Sequence, residues 1–513
     1  MTKIFNPRNT VIFVALIVLW KAFLSYVLEL HPDEAYYWLW SRRLAMSYYD
    51  HSPMVAYFIR LTTFFSHNEL AVRFSTIIVT VILSYVIFKF TKKIFSATVI
   101  SSADVNSTTL ASAAVVLLNT LPIMLVGSIV ITPDTPLLLF YGLALVSLYN
   151  FISYEKTKDI YFTGLFLGLA MLSKYTALFF LPCLLLYMIS VKKFHWFKNP
   201  HFYGAGLLAL AIFSPVLIWN TQHGWISFNH QVTNRLTDAT FRFGRVGDYL
   251  GGQMLAFGPV VFVPAFLGGI YTFFCALKKA NAKMMFNAKI LFLLSFALPP
   301  IVFFIFVALK RNPGANWPAF AYIPLSIFTV YYLLNGGEFK KKLLTWGIAL
   351  NVVLCIIVGL NTKYSFIPLA RISHTQAIAD ATNWFGGWRM LADKLLYKDV
   401  KLAIANSHQR AAIISYYTRD KIFTVVEGPR LNHFAFWPVP EHLKTERTAI
   451  VDIDHRMNRD FSELEYMGAT VFRHYRYGIP IRQYAIRIVM PEQVEQEIYN
   501  GEETEETYEV ATQ

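Results

Sequence analysis

The chain has 513 residues, of which 55% are hydrophobic and 15% charged, and its formal net charge is +14. Soluble domains carry about 25% charged residues, so this composition, with a mean hydropathy of +0.43, excludes a soluble enzyme and points to an integral membrane protein. The positive charge does not imply a nucleic-acid partner, because the lysines sit in short loops between apolar runs, where they face anionic lipid.

Apolar runs fall at 11–28, 70–90, 108–127, 136–153, 160–173, 175–191, 203–219, 253–277, 288–309, 318–334 and 343–360. A bilayer core takes roughly 20 helical residues to cross. The pattern therefore predicts a polytopic α-helical membrane protein of about eleven transmembrane helices, with amphipathic helices in its outer loops. The first run follows Lys3 and Arg8 as a signal peptide would, but no small-residue cleavage site comes after it, so it reads as a retained helix. With the N-terminus inside, the inner loops hold 17 basic residues and the outer loops 9, which favours that orientation. An odd number of spans then places everything after Leu360 outside.

Composition divides the chain into a membrane domain at 1–360, a small α/β domain at 361–500, and an acidic, disordered tail at 501–513. Short strands are expected at 401–405, 421–426, 448–452 and 484–490, with a helix at 409–417. Cys183, Cys275 and Cys355 lie in apolar runs without C-x-x-C spacing and read as small hydrophobes.

The inner loops are plain, whereas the outer loops carry the residues able to do chemistry. After the first run comes LHPDEAYYWLWSRRLAMSYYDHSPMVAY, with His31, Asp33, Glu34, Tyr49, Asp50 and His51. A carboxylate at the mouth of a membrane bundle can take a proton from an acceptor hydroxyl. Pro32, Asp33 and Glu34 equally make a good helix start. On that reading a short helix lies on the membrane, with Tyr36, Tyr37, Trp38 and Trp40 dipping into lipid and Asp33 facing inward. Asp134 stands at a span edge, where an ionisable residue is a functional candidate or a helix cap. Lys174 is alone among apolar residues, and either snorkels to the interface or holds a phosphate. Lys310 and Arg311 open a polar turn through Asn316 and Trp317, and Arg311 is able to grip a phosphate in two places. The outer loop 220–252, with Arg235, Arg242 and Arg245, is long enough to close over a lipid-linked substrate. Asp50 and His51 are the candidates for a divalent metal, since imidazole and carboxylate suit Zn or Mn.

Four stretches, HPDEAYYWLWS (31–41), YYDHSPMVAYF (48–58), ITPDTPLLLF (131–140) and LSKYTALF (172–179), resemble in order and spacing the GT-C superfamily of polyprenyl-phosphate-dependent membrane glycosyltransferases. KRNPGANWPAFAY (310–322) is also similar to members of the branch that holds protein O-mannosyltransferases and the lipid A aminoarabinose transferase. The resemblance covers 11–335. It implies a GT-C fold with a periplasmic C-terminal domain, in a multi-pass protein of the bacterial inner membrane whose active site is periplasmic. By resemblance, Asp33 matches the acid near the reacting centre, Asp134 the second acid, and Lys174 the lysine at the carrier phosphate. From their own place in the outer loops, Glu34 is expected beside the first acid as a second catalytic carboxylate, and Lys310 and Arg311 at the donor phosphate. His31, Tyr49, Asp50, His51, Asn316 and Trp317 would line the substrate.

The implied reaction is an inverting transfer from undecaprenyl phosphate to an envelope acceptor, lipid A above all, among membrane lipids. No cofactor is required for it, and a divalent cation is left open at Asp50 and His51. Protein O-mannosylation is the rival within the class, and a lipid or sugar transporter the rival outside it. The aminoarabinose transferases carry Glu-Lys-Pro where this chain has Tyr49-Asp50-His51-Ser52-Pro53, which leaves the sugar open.

Overall fold

In the computed structural model, residues 1, 3–96, 105–125, 127, 129–236, 241–278, 284–428, 430–453 and 470–489 are described. The acidic stretch 501–513 and the side chain of Arg235 lie outside them. All eleven expected apolar runs fall on helices. Among the described residues, seven helices are long and apolar enough to cross a membrane: Pro7–Val27, Glu69–Phe95, Asp134–Tyr154, Pro200–Gln222, Pro259–Lys278, Asn287–Ala308 and Glu338–Tyr364. Shorter apolar helices occupy Ser107–Thr120, Tyr175–Val191 and Ala319–Leu334, and Thr157–Ser173 supplies the remaining expected run. The chain is an integral membrane protein.

Local sequence sets many helix ends. Asn6, Asn68, Asn106 and Asn199 each accept a backbone N–H at the start of a membrane helix, and Pro7 and Pro200 add a preset first-turn φ. The expected run 253–277 is in fact two helices, Gly244–Phe257 and Pro259–Lys278. Gly258 between them has φ of +117°, a region open to glycine, and Pro259 cannot continue the preceding helix. Thr157–Ser173 packs tightly on Pro200–Gln222 because Gly164 and Gly168 share its facing side. A Cβ on Gly164 would stand 2.2 Å from the Ala205 carbonyl oxygen, so the small-xxx-small spacing lets the two backbones touch.

The C-terminal domain carries a sheet of β1 (Leu402–Ala405), β2 (Phe423–Val426), β3 (Thr448–Ile453), β4 (Thr470–Arg476) and β5 (Ile479–Val489), in the order β2-β1-β3-β5-β4. The pairs β1/β2 and β1/β3 are parallel, and β5 runs antiparallel to both β3 and β4. The helix His408–Thr418 connects β1 to β2, as the alternation of strand and helix predicts. β4 has no counterpart in the sequence reading, because TVFRHYR alternates too weakly to stand out.

The helix after the first span, Pro32–Arg42, departs from expectation. Tyr36, Tyr37, Trp38 and Trp40 do not meet lipid; all four are buried within the protein. Together with Trp388, Ile413 and Phe434 they form one apolar cluster that joins the membrane domain to the C-terminal domain. Tyr36 stacks on Phe434 with ring centroids 5.8 Å apart, and Trp38 meets Tyr416 edge-on at 5.0 Å. Interfacial aromatics and buried aromatics have the same composition, so only the fold distinguishes them.

Candidate active site

The first loop is held by Glu34. His31 caps Pro32–Arg42: its Nδ1 accepts the Asp33 N–H at 3.2 Å, and the His31 N–H donates to Glu34 Oε2 at 2.9 Å, closing a capping box. Glu34 Oε1 accepts the Ile131 N–H at 3.0 Å. Arg73 donates through Nε to Oε1 at 2.9 Å and through Nη2 to Oε2 at 2.6 Å. The other guanidinium N–H groups bind the carbonyls of Ser25, Leu28 and Glu29 at the end of the first span. Both side chains of this pair are fully buried. Glu34, expected among the catalytic carboxylates, is therefore placed as a latch: its oxygens are spent on joining the first span, the loop helix and the 131–134 loop. Arg73 was missed in the sequence, although a lone Arg inside an apolar run is a signal in itself.

Ile131 lies three residues before Asp134, at the start of Asp134–Tyr154. Lys174 donates to Asp134 Oδ1 at 2.8 Å and Oδ2 at 2.9 Å, and Asn316 Nδ2 donates to Oδ2 at 2.7 Å. Asp134 and Lys174 are both buried. Lys174 has no charged neighbour in sequence, but in the fold it is neutralised by an acid 40 positions away. Two expected site residues thus form one ion pair, and the turn after the 284–308 helix contributes a third member. In that turn the Lys310 ammonium lies over the Phe241 ring at 5.7 Å, and the Lys310 carbonyl accepts from Arg245. Arg311 is half-buried, and its Nη1 has no hydrogen-bond partner in the protein. Trp317 packs edge-on against Phe304 at 5.5 Å. Lys310 and Arg311 thus sit on the same turn as Asn316, and the ammonium of Lys174 keeps one of its three N–H donors beyond the two it gives Asp134.

The C-terminal domain reaches the other acids. Asp33 remains 36% exposed at its side chain, and its Oδ1 accepts from Gln409 Nε2 at 3.0 Å. Asp50 is buried, its Oδ2 accepting from Tyr36 Oη at 2.8 Å and its Oδ1 from Arg430 Nη2 at 3.1 Å. The Asp50 carbonyl takes a third bond, from Gln231. Tyr49 bonds His230 through Oη at 3.0 Å, and its N–H donates to His433 Nδ1 at 3.1 Å. His51 stands edge-on to Tyr37 at 6.3 Å. Among the described residues, no group of three or more His, Cys, Asp or Glu is placed to hold a metal ion. Asp50 is engaged by a phenol and a guanidinium. Gln409, Arg430 and His433 carry no sequence signal, since nothing in a linear reading folds residues 409–433 over residues 31–50.

Burial pushes His433 down to about 3, with His223 and Arg43 adding to the effect, so its neutral ring can accept the Tyr49 N–H. The folded state then binds fewer protons than the unfolded state between about pH 3 and the ordinary value of 6.5. This stability is complete above that window and is lost as pH falls through it. The expected result is a lower thermal unfolding midpoint at pH 5 than at pH 7.5, with a flatter dependence in His433→Asn, which keeps an acceptor that does not titrate. An equally steep dependence in the variant would assign the loss elsewhere.

A bundle of membrane helices capped by a small α/β domain has counterparts among known structures. The family model for dolichyl-phosphate-mannose-protein mannosyltransferases matches residues 50–219. The structure of ArnT from Cupriavidus metallidurans bound to undecaprenyl phosphate superimposes with a TM-score of 0.66 at 13% identity, over 93% of this chain and 97% of that one. The apo form gives 0.64 at 12% identity over the same shares. The chain thus has the fold of the ArnT structures, and part of its membrane domain is similar to the protein mannosyltransferases. Among characterised proteins it is similar to the lipid A galacturonosyltransferase RgtD of Rhizobium johnstonii, with 25% identity over 335 residues, 64% of this chain and 66% of that one.

Proposed function

We propose that the chain moves a sugar from undecaprenyl phosphate to lipid A at the periplasmic face of a bacterial inner membrane. The observation that carries this reading is the Asp134–Lys174–Asn316 cluster, in which a carboxylate presets two donors at the end of the bundle where a carrier phosphate would arrive, with Arg311 on the turn that carries Asn316. The likeness to RgtD supports lipid A as acceptor, and the likeness to ArnT supports the polyprenyl carrier.

In this reaction the acceptor oxygen attacks the anomeric carbon from the face opposite the carrier. The bond from that carbon to the phosphate oxygen breaks, and the configuration inverts. The carrier phosphate leaves with the bonding electrons, and the third Lys174 N–H with the Arg311 and Lys310 cations stabilises its charge. A hydroxyl acceptor passes its proton to Asp33, whose half-exposed carboxylate faces outward from the loop helix. A phosphate acceptor is already anionic and requires no base. The match to the protein mannosyltransferase model favours a protein acceptor as the second reading.

Mass spectrometry of lipid A from a strain lacking the chain tests the proposal: lipid A should lose one sugar mass, which names the sugar, and regain it on complementation. An unchanged lipid A profile with loss of a glycoprotein mass would select the second reading. Complementation with Asp33→Asn separates the two acceptor chemistries. It should fail, with normal insertion of the variant, if the acceptor is a hydroxyl, and succeed if it is a phosphate.

A further inference from the structure

Asp33 makes a contact that crosses between the membrane domain and the C-terminal domain. Asp33 lies in the first turn of Pro32–Arg42, on a backbone fixed by the capping box and by the Glu34 latch. Its side chain has no such restraint from its own loop. The nearest basic side chain in sequence, His31, approaches Oδ2 at 3.6 Å through Nδ1. That nitrogen accepts the Asp33 N–H, so it carries no proton to donate. Burial also holds the His31 ring below its ordinary range, despite the opposing pull of Asp33 and Glu34. Among the described hydrogen bonds, the Asp33 carboxylate has one side-chain donor, Gln409 Nε2 at 3.0 Å.

Gln409 is itself well placed to hold a position. It sits in the first turn of His408–Thr418, which begins with Ser407 accepting the Arg410 N–H. That helix is packed against Pro32–Arg42 by His408 on Tyr36, at 4.7 Å between rings, and by Tyr416 on Trp38. Tyr417 Oη accepts the Leu30 N–H at 2.9 Å, one residue before the cap. Two rigid helices therefore set the distance between the amide and the carboxylate.

We propose that Gln409 is a positioning residue of the transfer reaction: from the C-terminal domain, its side-chain amide fixes the carboxylate of Asp33 in the orientation in which it meets the acceptor. The C-terminal domain then completes the active site and is no mere appendage. This inference rests on the proposed role of Asp33 in transfer to a hydroxyl, and it adds what holds that residue. Gln409 has a directional effect, so three substitutions separate a donor from a space-filler. Gln409→Leu keeps the volume and removes the donor. Gln409→Lys restores a donor of similar reach. Gln409→Glu keeps the shape and sets a like charge against Asp33.

The test measures kcat and KM with a polyprenyl-phosphate sugar and the acceptor, using the full-length protein in detergent micelles. A misplaced reacting group costs turnover before binding, so Gln409→Leu should lower kcat about tenfold with donor KM within about twofold. Gln409→Lys should recover most of the loss, and Gln409→Glu should lose more than Gln409→Leu. Equal activity of Gln409→Leu and the unaltered protein overturns the inference, and so does an equal loss in Gln409→Leu and Gln409→Lys. A thermal double-mutant cycle of Gln409→Leu with Asp33→Ala reads the contact without turnover. Coupled midpoint shifts are expected, and additive shifts overturn it. An unaltered protein that transfers no sugar would instead count against the proposed function, and the cycle would still decide whether Gln409 holds Asp33.

Discussion

Lys174→Met is expected to reduce kcat by about 100- to 1000-fold, the range found when one preset donor is removed from a charge that develops in the transition state. The substitution keeps the length and apolar stem of the side chain but removes two of the three donors bound to Asp134. It leaves a buried carboxylate held by Asn316 alone, which will repel an incoming phosphate. Affinity for the carrier should fall together with turnover, since the same ammonium is proposed to meet the phosphate before and during bond breaking. Asn316→Ala should lose less, because the ion pair survives it. Kinetics with the variant in detergent, alongside a check that it inserts and extracts normally, would decide the matter. Full activity in Lys174→Met would remove this cluster from the reaction and return Lys174 to a structural ion pair.

The second large effect is on stability. Arg73→Met leaves Glu34 buried, charged and unpaired. Breaking one partner of such a pair costs about 3–5 kcal/mol, enough to lower the thermal midpoint sharply or to prevent recovery of folded protein. Glu34→Gln should cost less than Arg73→Met, because its one amide oxygen can still accept from Ile131 or His31 and from part of the guanidinium, although its NH2 group can accept from none of them. The double variant Glu34→Gln with Arg73→Met should be more stable than Arg73→Met alone, because no charge is then stranded. Ranked thermal unfolding of the four proteins in one detergent measures this. If Arg73→Met unfolds with the unaltered protein, the latch contributes nothing to holding the first loop.

These two experiments mark where sequence reasoning succeeded and where it stopped. The apolar helices were legible because a span is a local property, roughly 20 apolar residues in a row; among the described residues seven of them are long enough to cross a membrane, against the eleven spans expected. The core of the α/β domain was legible for the same reason, in short apolar strands separated by a helix. Asp33, Asp134 and Lys174 stood out as charges at the ends of spans. Their partners did not. Lys174 and Asp134 are far apart in sequence, and nothing local says that one neutralises the other. Glu34 is adjacent to Asp33 and of the same chemistry, yet one faces outward and the other is fully buried on Arg73. On a helix, neighbouring residues point about 100° apart, so adjacency in sequence is no guide to a shared task. The aromatic residues of Pro32–Arg42 illustrate the same limit, since their burial depends on Trp388 and later residues of the C-terminal domain, far away in the chain. Gln409 and Arg430 belong to that domain and became visible only when it was seen to rest on the first loop.

The most direct test of the account is transfer by the purified protein from a labelled undecaprenyl-phosphate sugar to lipid A, with the anomeric configuration of the product determined. The account predicts sugar-labelled lipid A of inverted configuration, release of undecaprenyl phosphate in equal amount, and near-complete loss of both in Lys174→Met. Product of retained configuration, or label transferred equally well by Lys174→Met, would contradict it.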